Sequence, residues 1–280
     1  MKSSYLLIDC GNTSTDFYGT NLTIMQNVFC KVSNHYIKEF DLNKLLEYIA
    51  IHVERKKFDE VFISSVNSSI FNIVIKAFSE DTKIHVLDKT AMEHFVKKEN
   101  YKIDNIDYLG ADLFCDIISY RDANEGVIVL DCGTASKILV VNKNKEFLGG
   151  IIYPGISICN KILSNNTDLL EDYELTEPKN IISLDTKEAI ASGTIYGTYY
   201  LLVGLVDKIK ETYHMSNPKI VMTGGNAEVL INSKIFEKSS FIIHDPLFIL
   251  KGLARAYDLE LNSGMTKWID IDPSQFRKKK

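Results

Sequence analysis

Cysteine is scarce in this chain: five among 280 residues, at Cys10, Cys30, Cys115, Cys132 and Cys159. The number is odd and no CxxC pair occurs, which argues against a disulfide framework and a structural zinc site. Cys10 and Cys132 each follow an aspartate at the end of an apolar run, and they read as small buried side chains in a reducing compartment. Basic charge is also short, since 32 Lys and Arg against 37 Asp and Glu give a formal net charge of -5. That balance lacks the net basic face of a nucleic-acid binder. The one dense basic run, Arg277-Lys278-Lys279-Lys280, reads as a solvated tail. The first residues lack the apolar length and cleavage site of a signal peptide. No stretch approaches the roughly 20 apolar residues of a membrane helix. The most apolar late segment, 195–209, is interrupted by Asp207 and by glycines. A cytoplasmic protein is expected, with neither nucleic acid nor membrane as a partner.

Common catalytic signatures are missing too. There is no GxxxxGK[ST], GxGxxG or HExxH, no nucleophile elbow and no convincing Ser-His-Asp order. The six histidines, His35, His52, His85, His94, His214 and His244, form no ligand-spaced cluster. A Walker-type phosphate loop, a dinucleotide fold and a zinc hydrolase are therefore set aside.

What the chain does have is an internal echo. Leu6-Leu7-Ile8-Asp9-Cys10-Gly11-Asn12-Thr13 and Ile128-Val129-Leu130-Asp131-Cys132-Gly133-Thr134-Ala135 share one grammar. In each, an apolar strand delivers an aspartate, turns at a glycine and enters a second strand, at 15–18 and 137–141. Repeated architecture is the simplest account. Between the echoes, helices at 42–53, 69–78 and 110–120 alternate with strands at 61–63 and 84–87. After the second echo come a hairpin to 146–148, a long helix at 186–212, strands at 220–222 and 241–243, and a helix at 247–259. The alternation predicts mixed α/β domains with sheets flanked by helices. The expected organisation is residues 1–125, residues 126–262 and an appendage at 263–280 whose only large anchor is Trp268. Along the long helix Ala189, Gly193, Gly197 and Leu201 recur every four residues, a small-residue stripe that lets another element approach closely.

The chemistry is expected at the turns. Gly11 and Gly133 leave backbone N–H groups open to a phosphate, and Asn12, Thr13 and Thr134 add side-chain donors. Asp9 and Asp131 would repel phosphate directly, so their natural role runs through Mg2+ or its water shell. Two such turns in equivalent places can form the walls of one cleft. Gly224 and Gly225 permit flat packing of a nucleoside against backbone. Gly150, Pro154 and Gly155 punctuate an expected loop at the cleft edge. Asp112, at a helix start, is the candidate general base; its alternative is a first-turn capping aspartate.

Together these residues give the chain a resemblance to the type III pantothenate kinases, members of the acetate/sugar kinase, heat-shock ATPase and actin superfamily. The carrying motifs are Asp9-Cys10-Gly11-Asn12-Thr13, Leu109-Gly110-Ala111-Asp112, Asp131-Cys132-Gly133-Thr134-Ala135, Gly149 to Gly155, Asp185 to Ala189 with Ser192-Gly193, and Thr223-Gly224-Gly225. The resemblance implies two related actin-like, ribonuclease H-like domains, an interdomain nucleotide cleft and a homodimer. It implies ATP as phosphoryl donor, pantothenate as acceptor, Mg2+ at Asp9 and a monovalent cation (K+ or NH4+) at Asp131. Asp112 would take the proton from the pantothenate hydroxyl, with Asn12, Gly110, Ala111 and Thr186 in the substrate site. The sequence departs from the family pattern in places. Leu113 stands where the family usually has arginine. Ile103 and Ile106 replace a tyrosine and a proline, with Tyr101 or Tyr108 as the nearest rings. Lys137 and Leu139 replace a threonine and an aspartate. Three readings stay open at this point: a pantothenate kinase, a kinase for another small alcohol, or a non-catalytic ATP-binding regulator.

Overall fold

The computed structural model describes residues 4–78, 81–120, 125–173, 175–239, 241–261 and 265–278. Lys279, Lys280 and the expected boundary at 262–263 lie outside them. The first stretch of chain forms β1 (Ser4–Cys10), β2 (Ser14–Asn21), β3 (Gln26–Ser33), α1 (Asn34–Glu39), α2 (Leu42–Ile51), β4 (Glu60–Ser65), α3 (Ser68–Ile75), β5 (Lys83–Val86), α4 (Lys89–Glu99) and α5 (Ala111–Ile118). Then come β6 (Val127–Cys132), β7 (Ala135–Val141), β8 (Phe147–Pro154), α6 (Ile156–Asn166), α7 (Thr186–Thr212), β9 (Lys219–Thr223), α8 (Ala227–Ile231) and β10 (Ile242–His244). The chain closes with α9 (Phe248–Ala256), β11 (Thr266–Trp268) and α10 (Pro273–Phe276).

These elements make two compact units. The first joins Met1–Glu99, Asp104–Ser119 and Phe248–Lys280; the second joins Asn100–Ile103 and Tyr120–Leu247. The last helix therefore does not stay with the second half, where sequence order placed it. Helix α9 packs on α5 and on β1 and β4 of the first unit. Arg255, buried on α9, donates to the Ile118 carbonyl at the C-terminal end of α5.

Each unit is built on the same sheet. In the first the order is β11-β3-β2-β1-β4-β5, and in the second it is β8-β7-β6-β9-β10 read from the β8 edge. Strands β1, β2 and β3 pair antiparallel in succession, β4 and β5 continue parallel to β1, and β11 adds parallel to β3 at the far edge. Strands β6, β7 and β8, then β9 and β10, repeat those senses. The repeat legible in the sequence is thus a repeat of topology. Strand β1 is buried at every position, which is why it reads as a continuous apolar run rather than an alternation.

In the first unit Leu6, Ile8, Phe17, Val28, Val61 and Ile63 pack against Leu45 and Ile49 of α2 and Ile70 and Val74 of α3. A fully buried side chain of that size contributes about 1.5–3 kcal/mol. The terminal segment belongs to this core. Phe276 is buried with Phe40 and Tyr48 around it, and Ile269 is buried too. Trp268 is 55% exposed and leans on Phe29 at 4.4 Å between ring centroids. Phe276, not Trp268, is the main anchor. In the second unit Ile128, Leu130, Ile138 and Met222 pack against Leu202, Val206 and Ile209 of α7. Helix α7, 27 residues with a mean hydropathy of 1.4 over its most apolar window, is long and apolar enough to cross a membrane, contrary to the sequence expectation. Its apolar character is accounted for by this core on one side and an open groove on another.

Candidate active site

In the first unit the central strand ends at Asp9, and the sheet register sets a row of polar side chains beside it. Ser64 of β4, Asp9 of β1, Asp16 of β2 and Lys31 of β3 stand opposite one another in turn. Asp9 is 7% exposed and its Oδ1 has no hydrogen-bond partner. Burial, then Asp16, raise the Asp9 carboxyl to about 7, and Asp112 adds to the rise. Asp16 is raised in the same direction by burial, opposed by Lys31, whose Nζ lies 3.0 Å from Oδ2. Two acids and one base leave this row one negative charge in excess when ionised.

The turn after Asp9 is clamped from below. Asn34 donates to the Gly11 carbonyl at 2.9 Å through Nδ2, accepts from Thr15 at 2.9 Å, and its backbone N–H reaches the Thr13 carbonyl at 2.9 Å. Asn12 and Thr13 are thereby held at an exposed tip. Asp112 sits half-buried in the first turn of α5, with Oδ1 accepting from the Leu113 N–H at 2.8 Å. A side chain on Gly110 would displace that oxygen and press on Val66. The capping behaviour expected of a first-turn aspartate is present, and so is the electrostatic proximity to Asp9 that a catalytic role needs. Ala111 is buried as the first helical residue.

The second unit repeats the row with one exchange. Thr223 of β9, Asp131 of β6, Lys137 of β7 and Ile152 of β8 stand opposite one another. Asp131 is 3% exposed, and Lys137 Nζ lies 2.8 Å from its Oδ2. The lysine stands where the first row has Asp16, so the turn aspartate carries its own counter-charge. The loops around it are locked by Asn226. Its Nδ2 donates to the Gly133 carbonyl at 2.8 Å, its N–H to the Cys132 carbonyl at 2.8 Å, and its Oδ1 accepts from Ser157 at 2.8 Å. Gly224 has φ +92° and no room for a Cβ beside Asp131 and the Cys132 backbone. Gly155, the N-cap of α6, presses on the carbonyls of Gly133 and Thr134 and likewise excludes a side chain.

The structure thus gathers Asp9, Gly11, Asn12, Thr13, Gly110 and Asp112 in the first unit, and Asp131, Gly133, Thr134, Gly155, Gly224 and Gly225 in the second. Thr186 belongs to the second unit, as the first residue of α7. The expected loop at the cleft edge is not a loop throughout. Gly150 and Pro154 are strand residues of β8, not a loop. Gly150 lies opposite Leu139, and its missing side chain makes room for the Leu139 side chain and the Ile138 carbonyl. Asp16 was missed. Its signal was the hairpin itself, because a tight turn after Asp9 returns position 16 to face it. Tyr101 is buried with Lys145 Nζ 5.4 Å from its ring centre, so Tyr108, 87% exposed just before Gly110, is the accessible ring. Burial pushes the thiols of Cys10 and Cys132 up to about 12, which keeps them protonated and unreactive.

For Mg2+, the donors on offer are the buried Asp9 Oδ1, which has no hydrogen-bond partner, and the carboxyl of Asp16 beside it, raised by burial. No group of three or more His, Cys, Asp or Glu among the described residues could hold a metal by itself. Mg2+ does not require one, since it keeps waters and takes one or two carboxylates with substrate phosphates. The Asp9 row fits. For K+ or NH4+ at Asp131 the fit fails, because Lys137 already supplies the positive charge.

On the second unit α6, β8 and the start of α7 enclose a groove of about 870 Å3, lined by Tyr153, Ile162, Leu163, Leu184, Thr186 and Leu201 among others. Gly193 and Gly197 form its floor, with no atom over either.

Two topologically equivalent units, each ending its central strand in an Asp-Cys-Gly turn, define a two-unit α/β chain of the actin-like, ribonuclease H-like class. A crystal structure of a protein described as a conserved Baf family transcriptional activator from Campylobacter jejuni shares the fold, at a TM-score of 0.56 and 20% identity over 90% of this chain and 97% of that one. Sequence comparison is more specific: a family model for type III pantothenate kinases matches residues 5–208. A type III pantothenate kinase of Borrelia hermsii is 30% identical over 229 residues, 81% of this chain and 84% of that protein. Another, of Borreliella burgdorferi, is 29% identical over 239 residues, 82% and 86% of the respective chains. The chain belongs to the type III pantothenate kinase family.

Proposed function

We propose that this chain transfers the terminal phosphoryl group of ATP to the primary hydroxyl of pantothenate, giving ADP and 4'-phosphopantothenate, the first step toward coenzyme A. The observation that carries the reading is the acidic cluster of the first unit, Asp112 at a helix start electrostatically coupled to the buried Asp9, in a chain of this family. Asp112 is half-buried in the first turn of α5 and reachable by an alcohol. It accepts the hydroxyl proton as the oxygen attacks phosphorus, while ADP departs. Gly11, Asn12 and Thr13, held by Asn34, offer donors to phosphate at the tip of the first turn. Gly133 and Thr134 do so on the second, and Gly224 and Gly225 receive the nucleoside. Mg2+ held at Asp9 would neutralise phosphate charge.

Substrate choice turns on position 113. An arginine there would bind the pantothenate carboxylate, and Leu113 has no side-chain donor. Loss of one charge-assisted hydrogen bond costs about 1.5–3 kcal/mol where nothing replaces it. A product assay with Mg2+, ATP and either pantothenate or pantothenol, which keeps the hydroxyl but lacks the carboxylate, separates the alternatives. Phosphopantothenate formation that falls about 10²–10⁴-fold in Asp112→Asn, with ATP binding retained, is the expected result. Pantothenol turned over as well as pantothenate would point to a kinase for a related alcohol. Folded, ATP-binding protein that phosphorylates neither would end the kinase reading.

The groove along α7 supports a homodimer in this reading. It exposes Ile162, Leu163, Leu184 and Leu201, and the open glycines let a second α7 lie close. Sedimentation of wild type against Gly197→Gln checks this: a dimer that becomes a folded monomer is expected, and a wild-type monomer at micromolar concentration refutes it.

A further inference from the structure

We infer that the Lys137 ammonium is a built-in monovalent cation for Asp131, so that the second phosphate turn of this chain works without K+ or NH4+. The inference rests on the kinase reading for its context, but its physical basis is local. Position 137 lies directly opposite Asp131 across the β6–β7 hairpin, and that register leaves the lysine no choice of partner face. Nζ lies 2.8 Å from Oδ2, and the two side chains are 15% and 4% exposed. At that depth the pair is little screened by salt, and an unpaired carboxylate would be costly. A primary ammonium has the charge of K+ and the donor chemistry of NH4+, and its tether spares the entropy of capturing a free ion. It also opposes a second cation at the same carboxylate.

On its other side Asp131 Oδ1 is packed on Gly224, where even a methyl group has no room. The Asp9 row shows the contrast within the same chain, since Lys31 stands one strand further away and Asp9 Oδ1 is left without a hydrogen-bond partner.

The test compares wild type with Lys137→Thr in K+, NH4+ and tetramethylammonium chloride at one ionic strength. Three quantities are read: the Tm of ligand-free protein, ATP affinity and turnover. Wild type is expected to be indifferent to the cation in all three. In tetramethylammonium, Lys137→Thr is expected to lose about tenfold in ATP affinity, the scale of one charged hydrogen bond, and to regain most of it in K+ or NH4+. Its Tm is expected to rise with NH4+ as well. Wild type that needs K+ or NH4+ overturns the inference, and so does a Lys137→Thr protein as cation-indifferent as its parent. If the threonine variant does not fold, Lys137→Met, which keeps the apolar length of the stem, carries the same comparison. Tm and ATP affinity do not depend on the acceptor alcohol, so failure to phosphorylate pantothenate would leave this result intact.

Discussion

The two aspartate turns are the same backbone device with opposite electrostatic settings. Across the first sheet the order is Ser64, Asp9, Asp16, Lys31; across the second it is Thr223, Asp131, Lys137, Ile152. A lysine one strand nearer converts an acid-rich row into a neutral one. The first turn therefore keeps an excess of acidic charge, while the second has an ammonium paired with its aspartate. A duplicated fold has kept its geometry and divided its chemistry between the copies.

The sharpest way to break that comparison is to give the second turn the charges of the first. Lys137→Asp would place two buried carboxylates side by side and remove the ammonium 2.8 Å from Asp131 Oδ2. Breaking a buried pair costs about 3–5 kcal/mol. Urea denaturation should show a loss of that size. A loss under about 1 kcal/mol, the range of an exposed pair, would mean that Lys137 is not integral to the turn.

The next effect is on the first turn, and it separates function from stability. Asp9→Asn keeps the shape and removes the charge. Turnover should fall about a hundredfold or more, since a preorganised charge at the phosphates is lost. Folding should not suffer, because the carboxylate is already strained by burial and by Asp16. An Asp9→Asn enzyme with wild-type turnover would remove Asp9 from the phosphate site.

Much of this architecture was legible in the sequence, and the reasons are physical. Strands buried on both faces, such as β1 and β6, announce themselves as apolar runs, and the repeated turn placed both units. Helix α7 was bounded correctly by its capping Asp185, which accepts from the Glu188 N–H at 2.9 Å. Strand β3 escaped notice because its polar ends, Gln26, Asn27, Lys31 and Ser33, dilute the pattern. Helix α4 escaped because Lys, Glu and His dominate it and only Met92 and Phe95 are buried. The allegiance of α9 to the first unit is a long-range packing choice, and no local pattern carries it. The same holds for the site. Asp9, Asp112 and Asp131 stood out by motif, whereas Asp16 and the Lys137 contact exist only through cross-strand register.

The remaining effect is a pH slope, and its sign follows from the raised acid. Burial holds the Asp9 carboxyl up at about 7 in the folded protein, against 3.8 for an ordinary aspartate. Between those values the folded chain holds a proton that the unfolded chain has released. The contribution of this group to the stability of the ligand-free protein therefore falls as pH rises from about 4 to about 7, and levels off above. Asp16, raised by burial, adds to the slope in the same sense. In Asp9→Asn one of these protons is gone from both states, so the decline should flatten and the variant should melt higher than wild type at pH 8. Saturating Mg2+ with ATP should flatten the wild-type curve too, because a bound cation favours the ionised carboxylate. Thermal melts across this window decide the matter: a wild-type Tm that climbs from pH 4 to 7, with Asp9→Asn climbing in parallel, would show that the first turn is not under charge strain and that the two turns do not differ as their rows imply.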